Sequence, residues 1–574
     1  MKNLFIGSLF LICLSFACHS PKKTTAESLN FNAFQFSIQK KIVCANGAVV
    51  SAHPLASKVG VEILRQGGNA IDAAIATQLA LAVVYPNAGN IGGGGFMVAR
   101  LNNGKLLALD YRETAPLHAD RDMYLDEHGN VEDGKSLNGH FATGVPGTVA
   151  GLFASAKYGK LSFAKLIQPA IDLAERGFVL TENEAISFNS IQKDLKEYNT
   201  VMPVFVKETG WKTGDTLVQV DLANTLKRIR DEGEKGFYEG ETAKLIVEEM
   251  KRGGGIITPQ DLKNYRAKFR EPHVFDYKGY KIVGMPMPSS GGILVHQMMK
   301  MIEDKNIGAM GFQTAASVQL MAEVERRAFA DRAEYMGDAD FYKVPEKMLV
   351  RDEYLKERMK DYVAGIAGDS KKIQPGDLPK KESEETTHFS VIDKEGNAVA
   401  VTTTLNNSYG SKTVVAGAGF FLNDEMDDFS AKPGVPNLYG AVGGEANAIA
   451  PGKRMLSSMT PTVVLKNDKP YLVVGTPGGT TIPTSVFQTL VNVLEFNMST
   501  EDAVYKPKFH HQWLPDTLDI EKGFARDVID SLEKMGYKIN ERGGIGRTEA
   551  IKVLKDGRFE AVGDIRGDDD AEGY

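Results

Sequence analysis

The chain has 574 residues, of which 43% are hydrophobic and 25% are charged. This is the composition of a globular protein, and the chain is long enough to bury a large hydrophobic core. Its formal net charge of −7 argues against nucleic acid or an anionic membrane surface as the main partner.

The first residues resemble a secretory signal sequence. A basic residue precedes an apolar run over 4–17, which is too short for an ordinary membrane-spanning helix. Small residues at its end fit cleavage after position 17, and the following Cys18 also fits a bacterial lipoprotein site at which that cysteine is lipidated. We therefore expect a signal peptide at 1–17, a disordered tether at 18–30 and export to a periplasm, with a lipid anchor at Cys18 left open.

Cysteine and histidine usage predicts neither a disulfide framework nor a metal site. The chain has three cysteines, and a bridge from Cys18 to Cys44 would only staple a tail. Its ten histidines show no metal-ligand spacing, and we expect the adjacent pair in the stretch Lys508–Trp513 to be structural.

The first half of the chain is predicted to be mainly helical. Apolar residues recur at helical spacing through 53–85, and 160–370 is also mostly helical apart from a short β segment near 277–285. We expect charge-rich helical faces such as 323–327 to be solvated. The glycine run within 90–97 fits tight packing beneath a sheet.

A polar, proline-containing stretch at 373–385 is suited to be an exposed linker for chain cleavage, and a strand headed by Thr386 follows it. If the bond between Glu385 and Thr386 is cut, Thr386 acquires an α-amine with a pKa near ~8 beside its own hydroxyl. That amine can take the hydroxyl proton, which is the N-terminal form of an activated nucleophile. The same residues also fit an ordinary edge strand, because threonine is common in strands.

The segments 387–393 and 398–405 predict a β-hairpin joined by a glycine-containing turn. Antiparallel pairing then places Thr386 opposite the region from Thr404 to Asn406. Thr404 could orient the hydroxyl or the amine of Thr386, and Asn406 could bind a polar group of a substrate. A slip of one residue would turn these side chains away and leave only a surface pair of threonines.

Two polar clusters further along the chain suit the two ends of an amino acid. Glu425 and Asp428 lie in an acidic stretch and could bind an ammonium group, although such runs are usually solvated turns. Ser457 and Ser458 offer two hydroxyl donors that suit a carboxylate.

Gly478 and Gly479 follow a predicted buried strand at 471–475 and precede a predicted helix at 483–496. Paired glycines in such a turn expose N–H groups near a helix N-terminus, where they could stabilise the oxyanion of acyl transfer. The same pair could serve only to reverse the chain. No Gly-Lys-Ser/Thr follows, which excludes a phosphate loop.

Four motifs stand in a fixed order along the chain: Thr386–His388, Asn423–Ser430, Leu456–Met459 and Pro477–Gly479. In sequence and in order they resemble the gamma-glutamyltransferases, which belong to the N-terminal nucleophile hydrolases. The similarity runs from about residue 40 to the end of the chain. It implies an α/β fold with two β-sheets flanked by helices, a four-layer αββα sandwich in which a large chain, 31–385, interleaves with a small chain, 386–574.

The resemblance also implies that a glutamyl group is held at its amino-acid end. Arg112, Ser457 and Ser458 would bind its α-carboxylate, since arginine is the preferred side chain for bidentate carboxylate recognition. Glu425 and Asp428 would bind its α-ammonium group. The loop over 433–447 resembles the lid loop of many members, and its Tyr439 matches the aromatic residue that screens the pocket, although a purely structural loop remains open.

The implied mechanism has two stages and needs no metal or organic cofactor. Thr386 first attacks the carbonyl of Glu385 and divides the precursor into its two chains. Thr386 then attacks the γ-amide of glutathione or a related compound, and water or an acceptor amino acid or peptide resolves the glutamyl ester. The expected partners are therefore these small molecules and the two chains of one precursor.

Two other interpretations remain open at the level of the sequence. The first is an acylase of the same superfamily that takes a β-lactam side chain or a poly-γ-glutamate, against which a complete amino-acid clamp argues. The second is an exported binding protein without catalysis, against which Thr386, Thr404 and the glycine pair argue.

Overall fold

The computed structural model describes residues 31–132, 134–375, 387–432 and 445–574. The predicted signal peptide and tether, including Cys18, therefore lie outside the described residues. The same is true of Glu385 and Thr386 at the predicted cleavage site, and of Tyr439 in the predicted lid loop.

Strands and helices alternate through most of the described chain. The strands are β1 (Lys41–Cys44), β2 (Gly47–Ser51), β3 (Gly94–Arg100), β4 (Leu106–Asp110), β5 (Phe178–Val179), β6 (Thr216–Leu217), β7 (Lys268–Arg270), β8 (His273–Tyr277), β9 (Tyr280–Gly284), β10 (Thr387–Asp393), β11 (Ala398–Thr404), β12 (Thr462–Lys466), β13 (Lys469–Gly475), β14 (Phe509–His510), β15 (Leu518–Glu521), β16 (Ile539–Arg542), β17 (Glu549–Val553), β18 (Phe559–Val562) and β19 (Asp570–Gly573). The helices are α1 (Pro54–Arg65), α2 (Ala70–Val84), α3 (Thr148–Ala156), α4 (Phe163–Arg176), α5 (Glu182–Ser190), α6 (Gln192–Tyr198), α7 (Val220–Glu232), α8 (Lys235–Tyr238), α9 (Gly240–Gly253), α10 (Pro259–Asn264), α11 (Gly291–Ile302), α12 (Ile307–Met310), α13 (Ala315–Tyr335), α14 (Glu346–Leu349), α15 (Asp352–Arg358), α16 (Thr481–Leu494), α17 (Thr500–Tyr505) and α18 (Arg526–Met535).

Two antiparallel sheets form the centre of the molecule. One has the strand order β1-β18-β17-β13-β12-β9-β8, and the other has the order β19-β2-β10-β11-β3-β4-β7. Because successive side chains of a strand point to opposite faces, each sheet can fill two apolar layers. In β2, for example, Val50 packs in the layer between the sheets and Val49 packs against the helices outside.

Helices cover the outer face of each sheet. The sheet containing β10 packs against α1 and α2, and the sheet containing β13 packs against α11 and α16. The layers therefore run helix, sheet, sheet, helix, which confirms the predicted αββα sandwich. Within the described residues, no helix is long and apolar enough to cross a membrane.

Several local predictions are confirmed, and one is wrong. The predicted hairpin forms as β10 and β11, and the glycine run lies tight beneath it, since a Cβ at Gly93 would collide with the carbonyl of Thr404. The β segment predicted near 277–285 is present as β9, which forms a hairpin with β8 that turns at Lys278 and Gly279 with positive φ at both.

Of the predicted linker at 373–385, the structure describes only 373–375. Ile373 is 5% exposed, and its carbonyl accepts a hydrogen bond of 2.8 Å from Trp513 Nε1, whereas Gln374 is exposed. The exposure of the linker as a whole stays a prediction.

The predicted solvation of 323–327 is wrong, because these side chains are at most 1% exposed. Both arginines form ion pairs with Glu323, while Glu325 accepts hydrogen bonds from Gln488 and from the backbone of His511.

The two predicted chains interleave in both sheets. In one sheet β10, β11 and β19 come from the segment after 386, while the neighbouring β2 and β3 come from the segment before it. We expect the two fragments of a cleaved protein to stay together in size-exclusion chromatography without denaturant, because separating them would break both sheets. Fragments that separate under native conditions would contradict this arrangement.

Candidate active site

The start of β10 and the end of β11 lie side by side, with Thr387 paired with Thr403. The next residue, Thr404, is fully buried, and its hydroxyl accepts a hydrogen bond of 2.7 Å from the backbone N–H of Asn406. Its carbonyl accepts one of 2.8 Å from the side chain of Asn90. The backbone and hydroxyl of Thr404 are thus held at the point where the predicted nucleophile joins the strand.

Asn406 connects this hairpin to the acidic stretch. It has a φ of +73° and is buried, and its Nδ2 donates to the carbonyl of Asp424 at 3.1 Å. Asp424 in turn accepts hydrogen bonds from the backbone and the side chain of Asn407, at 3.0 and 2.6 Å. The loop after β11 is therefore fastened to the residue that precedes Glu425.

Burial raises the pKa of Asp424 to about 7, and the opposing hydrogen bonds from Asn407 and the charge of Lys412 only moderate the shift. Because the unfolded pKa is near ~3.9, the contribution of this group to stability is full below that value and is lost as the pH rises through the folded pKa. We expect the difference in melting temperature between wild type and Asp424→Asn to move in favour of the variant from about pH 5 to about pH 8. A difference that is constant with pH would contradict the shift.

Arg112 follows β4 and is fully buried among carboxylates. Its guanidinium donates to Glu425 and to Asp428, and it lies 3.7 Å from Glu113. The structure thus brings together three of the residues that the sequence predicts for substrate binding. The acidic stretch is buried and paired, rather than a solvated turn.

Two backbone carbonyls join Arg112 to the serine motif. Its Nε donates to Met455 at 3.3 Å and its second terminal nitrogen donates to Leu456 at 3.2 Å. Ser457 and Ser458 follow immediately and are fully buried. The serine motif is therefore joined to the Arg112 guanidinium through the backbone of the two residues that precede the serines.

Arg332 of α13 supports the serines and was not singled out by the sequence. It is 1% exposed, donates to the hydroxyl of Ser458 at 2.6 Å, and donates to Ser290 at 2.8 Å. The hydroxyl of Ser290 donates to the carbonyl of Ser457 at 2.9 Å. From the sequence alone, Arg332 cannot be distinguished from an arginine on a solvated helical face. Its burial in the folded chain is what identifies it as part of the site.

Glu113 is the second residue that sequence analysis missed. It is fully buried, and among the described residues neither of its carboxyl oxygens has a hydrogen-bond partner. Burial and the neighbouring Glu425 raise the pKa of Glu113 well above its usual value, although Arg112 acts in the opposite direction. Its place beside Arg112 in the sequence was the available signal.

Gly478 and Gly479 lie beyond the end of β13, whose last residue, Gly475, packs against the ring of His388 in β10. Both have positive φ, +131° and +61°, which glycine adopts without strain. The carbonyl of Gly478 accepts from the hydroxyl of Thr481 at 2.6 Å. Within the part of the chain that the structure describes, neither glycine N–H donates a hydrogen bond, so both are available to an oxyanion.

The described end of the predicted lid loop is tied to the same cluster. Asn447 donates to the carbonyl of Asp428 at 2.5 Å and accepts from the backbone of Leu456 at 3.0 Å. Ser430 and Ala448 form a β-bridge, so the described segments before and after 433–444 lie next to each other. Among the described residues, no group of three or more His, Cys, Asp and Glu side chains is arranged to hold a metal ion.

Comparison with known proteins shows which family the chain belongs to. The family model for gamma-glutamyltranspeptidase matches residues 56–574. The chain belongs to the gamma-glutamyltranspeptidase family. It is 46% identical to the glutathione hydrolase proenzyme of Escherichia coli (strain K12) over 97% of this chain and 96% of that protein.

Acylases are also among the relatives. The chain is 36% identical to the acylase ACY 1 proenzyme of Pseudomonas sp. (strain V22), over 93% of this chain and 94% of that protein. The crystal structure of cephalosporin acylase from Bacillus halodurans is similar with a TM-score of 0.81 at 26% identity, over 94% of this chain and 98% of that one. These similarities agree with the N-terminal nucleophile hydrolase fold.

Proposed function

We propose that this protein is a self-processing gamma-glutamyltransferase that cleaves the γ-glutamyl amide of glutathione and related compounds. It passes the γ-glutamyl group to water or to an acceptor amino acid or peptide. The observation that carries the proposal is the buried cluster of Arg112 with Glu425 and Asp428, set against Ser457 and Ser458. This cluster can bind both charged groups of an amino acid.

This cluster, which we call the clamp, binds a glutamyl group by exchanging its own ion pairs for ion pairs with the substrate. Without substrate, the guanidinium of Arg112 pairs with Glu425 and Asp428. A glutamyl group brings one carboxylate and one ammonium, so it adds no net charge when its carboxylate goes to Arg112 and its ammonium goes to the two acids. Charge balance is kept in a site where an unpaired charge would be costly.

Thr386 is the proposed nucleophile, and in the sequence it immediately precedes β10. The antiparallel pairing predicted from the sequence sets it opposite Thr404, whose hydroxyl we assign to its orientation. In maturation the hydroxyl attacks the carbonyl of Glu385, and water hydrolyses the resulting ester. The small chain then begins with a free α-amine on its nucleophile.

Catalysis repeats this chemistry on the substrate. The Thr386 amine takes the hydroxyl proton, the oxygen bonds to the carbonyl carbon of the γ-amide, and the C–N bond breaks as the leaving amine takes that proton. Water or an acceptor amine then attacks the ester, gives its proton to the amine and releases the hydroxyl. Gly478 and Gly479 supply N–H groups to the oxyanion of each step.

Intact mass and release of a γ-glutamyl anilide test the proposal on the purified wild-type protein. We expect two fragments that meet between Glu385 and Thr386, together with anilide release. Fragments without release would favour an acylase of the β-lactam type, to which two relatives point. An uncleaved protein without activity would contradict the proposed nucleophile and leave a binding protein.

Export and anchoring are part of the same proposal. The apolar run over 4–17 supports removal of 1–17 and delivery to a periplasm. The mass of the large fragment from the native host decides between a large chain that begins at an unmodified Cys18 and one that carries lipid on it. A large fragment that retains residue 1 would contradict export by this signal.

A further inference from the structure

The stretch Lys508–Trp513, which the mechanism above does not use, lies directly behind the glycine turn. Thr480 follows Gly479, and its hydroxyl donates to Gln512 Oε1 at 2.5 Å. The hydroxyl also lies 3.5 Å from the Nε2 of His510. Thr480 is therefore the residue through which this stretch contacts the turn.

The directions of these hydrogen bonds follow from the surrounding groups. The side-chain nitrogen of Gln512 donates to the carbonyl of Leu514 at 3.2 Å, which turns Oε1 towards Thr480 and His510. Burial lowers the pKa of His510 to about 4, so its ring is neutral near neutral pH. With Nε2 as donor to Gln512 at 2.9 Å, Nδ1 is an acceptor that lies 2.9 Å from the hydroxyl of Thr484, and this hydroxyl also donates to the carbonyl of Thr481 at 3.0 Å.

We call the hydrogen bond from Thr480 to Gln512 the brace. It matters because two consecutive glycines have wide conformational freedom. On one side, Gly478 is held by its carbonyl, which accepts from Thr481. On the other side, Thr480 is the first residue after the pair with a side chain, and that side chain is buried and bonded to Gln512. The carbonyl of Gly479 also accepts from the backbone of Ile482 at 3.1 Å, and the carbonyl of Pro477 accepts from the hydroxyl of Thr476 at 2.8 Å. The hydrogen bond from Thr480 to Gln512 sets the direction of the glycine N–H groups together with these attachments.

We propose that Gln512 is a positioning residue that acts through Thr480 to hold the Gly478 and Gly479 N–H groups at the oxyanion. The inference rests on the proposed function, and it adds a group that acts on the oxyanion donors through Thr480. Because self-cleavage and turnover both pass through an oxyanion, loss of the brace slows both.

Matched substitutions test the brace. Thr480→Val removes the hydroxyl at nearly constant volume, Thr480→Ser keeps it, and Gln512→Met removes the acceptor. We expect Thr480→Val and Gln512→Met each to lower the rate of self-cleavage and kcat by about 10-fold, less than the loss of a direct oxyanion donor, with KM for the anilide nearly unchanged. Thr480→Ser should behave as wild type.

The double variant and a control separate positioning from folding. Since both substitutions break one hydrogen bond, Thr480→Val with Gln512→Met should be no slower than either alone. Thr489→Val removes a buried hydroxyl within α16 that donates to the carbonyl of Ser485 at 2.8 Å. This control should leave kcat unchanged.

Several outcomes would overturn the brace. A kcat near that of wild type in Thr480→Val, a loss of kcat in proportion to melting temperature, or an equal loss in Thr489→Val would each do so. If Gln512→Met does not fold, the comparison of Thr480→Val with Thr480→Ser decides alone. An uncleaved, inactive wild type in the same experiment would instead overturn the proposed function itself.

Discussion

Thr386→Ala is expected to leave the chain in one piece and to lower anilide release by at least about 10⁴-fold, the scale on which loss of a nucleophile acts. The alanine has no hydroxyl to attack the carbonyl of Glu385, so the precursor cannot cut itself. Without cleavage no α-amine forms, and the nucleophile and its base are lost together. Intact mass and the anilide assay on the same sample measure both effects.

Thr386→Ser separates the hydroxyl from the methyl group of threonine. Serine keeps the nucleophilic oxygen and, after cleavage, the α-amine, so we expect two fragments and measurable turnover at a reduced rate. Thr216→Ala, at an exposed position in β6, is the matched control and should cleave and turn over as wild type does. Cleavage of Thr386→Ala at the same bond would assign the cut to another protease and contradict self-processing.

The local parts of the site could be predicted from the sequence because they are close in the chain. The hairpin of β10 and β11 is set by two short runs of strand-forming residues and one glycine-containing turn, and its observed register pairs Thr387 with Thr403. The glycine turn also follows from local rules. What the sequence does not give is that the N–H groups of Gly478 and Gly479 donate to no acceptor among the described residues, since that depends on where every neighbouring acceptor lies.

The clamp could not be predicted from local pattern because its members are far apart in the chain. Arg112 and Glu425 are separated by 313 positions, and only the family resemblance brought them together beforehand. For α13 the local pattern gave a wrong prediction, because charges such as those at 323–327 are typical of a solvated helical face. In the folded chain Arg326 and Arg327 pair with Glu323 within the core, and Arg332 of the same helix bonds to Ser458.

Arg112→Gln is expected to keep self-cleavage but to lower kcat/KM for the anilide by about 10³-fold, through the loss of a buried charge-assisted contact to the α-carboxylate. Self-cleavage is spared because the bond before Thr386 has no free α-carboxylate to bind. Arg526→Gln removes an arginine that is paired with Asp530 on the surface, and it should change neither quantity. Two fragments with low activity thus distinguish a binding defect from a defect of the nucleophile.

Stability has to be separated from binding in this variant, because Arg112 also neutralises Glu425 and Asp428. Removing one partner of a buried ion pair costs about 3–5 kcal/mol, so Arg112→Gln alone should melt well below wild type. Adding Glu425→Gln removes one of the stranded charges and should recover part of the melting temperature, while kcat/KM stays low because the carboxylate site is still absent. Recovery of activity along with stability would show that Arg112 serves only to hold the fold, and the assignment of the clamp would then be wrong.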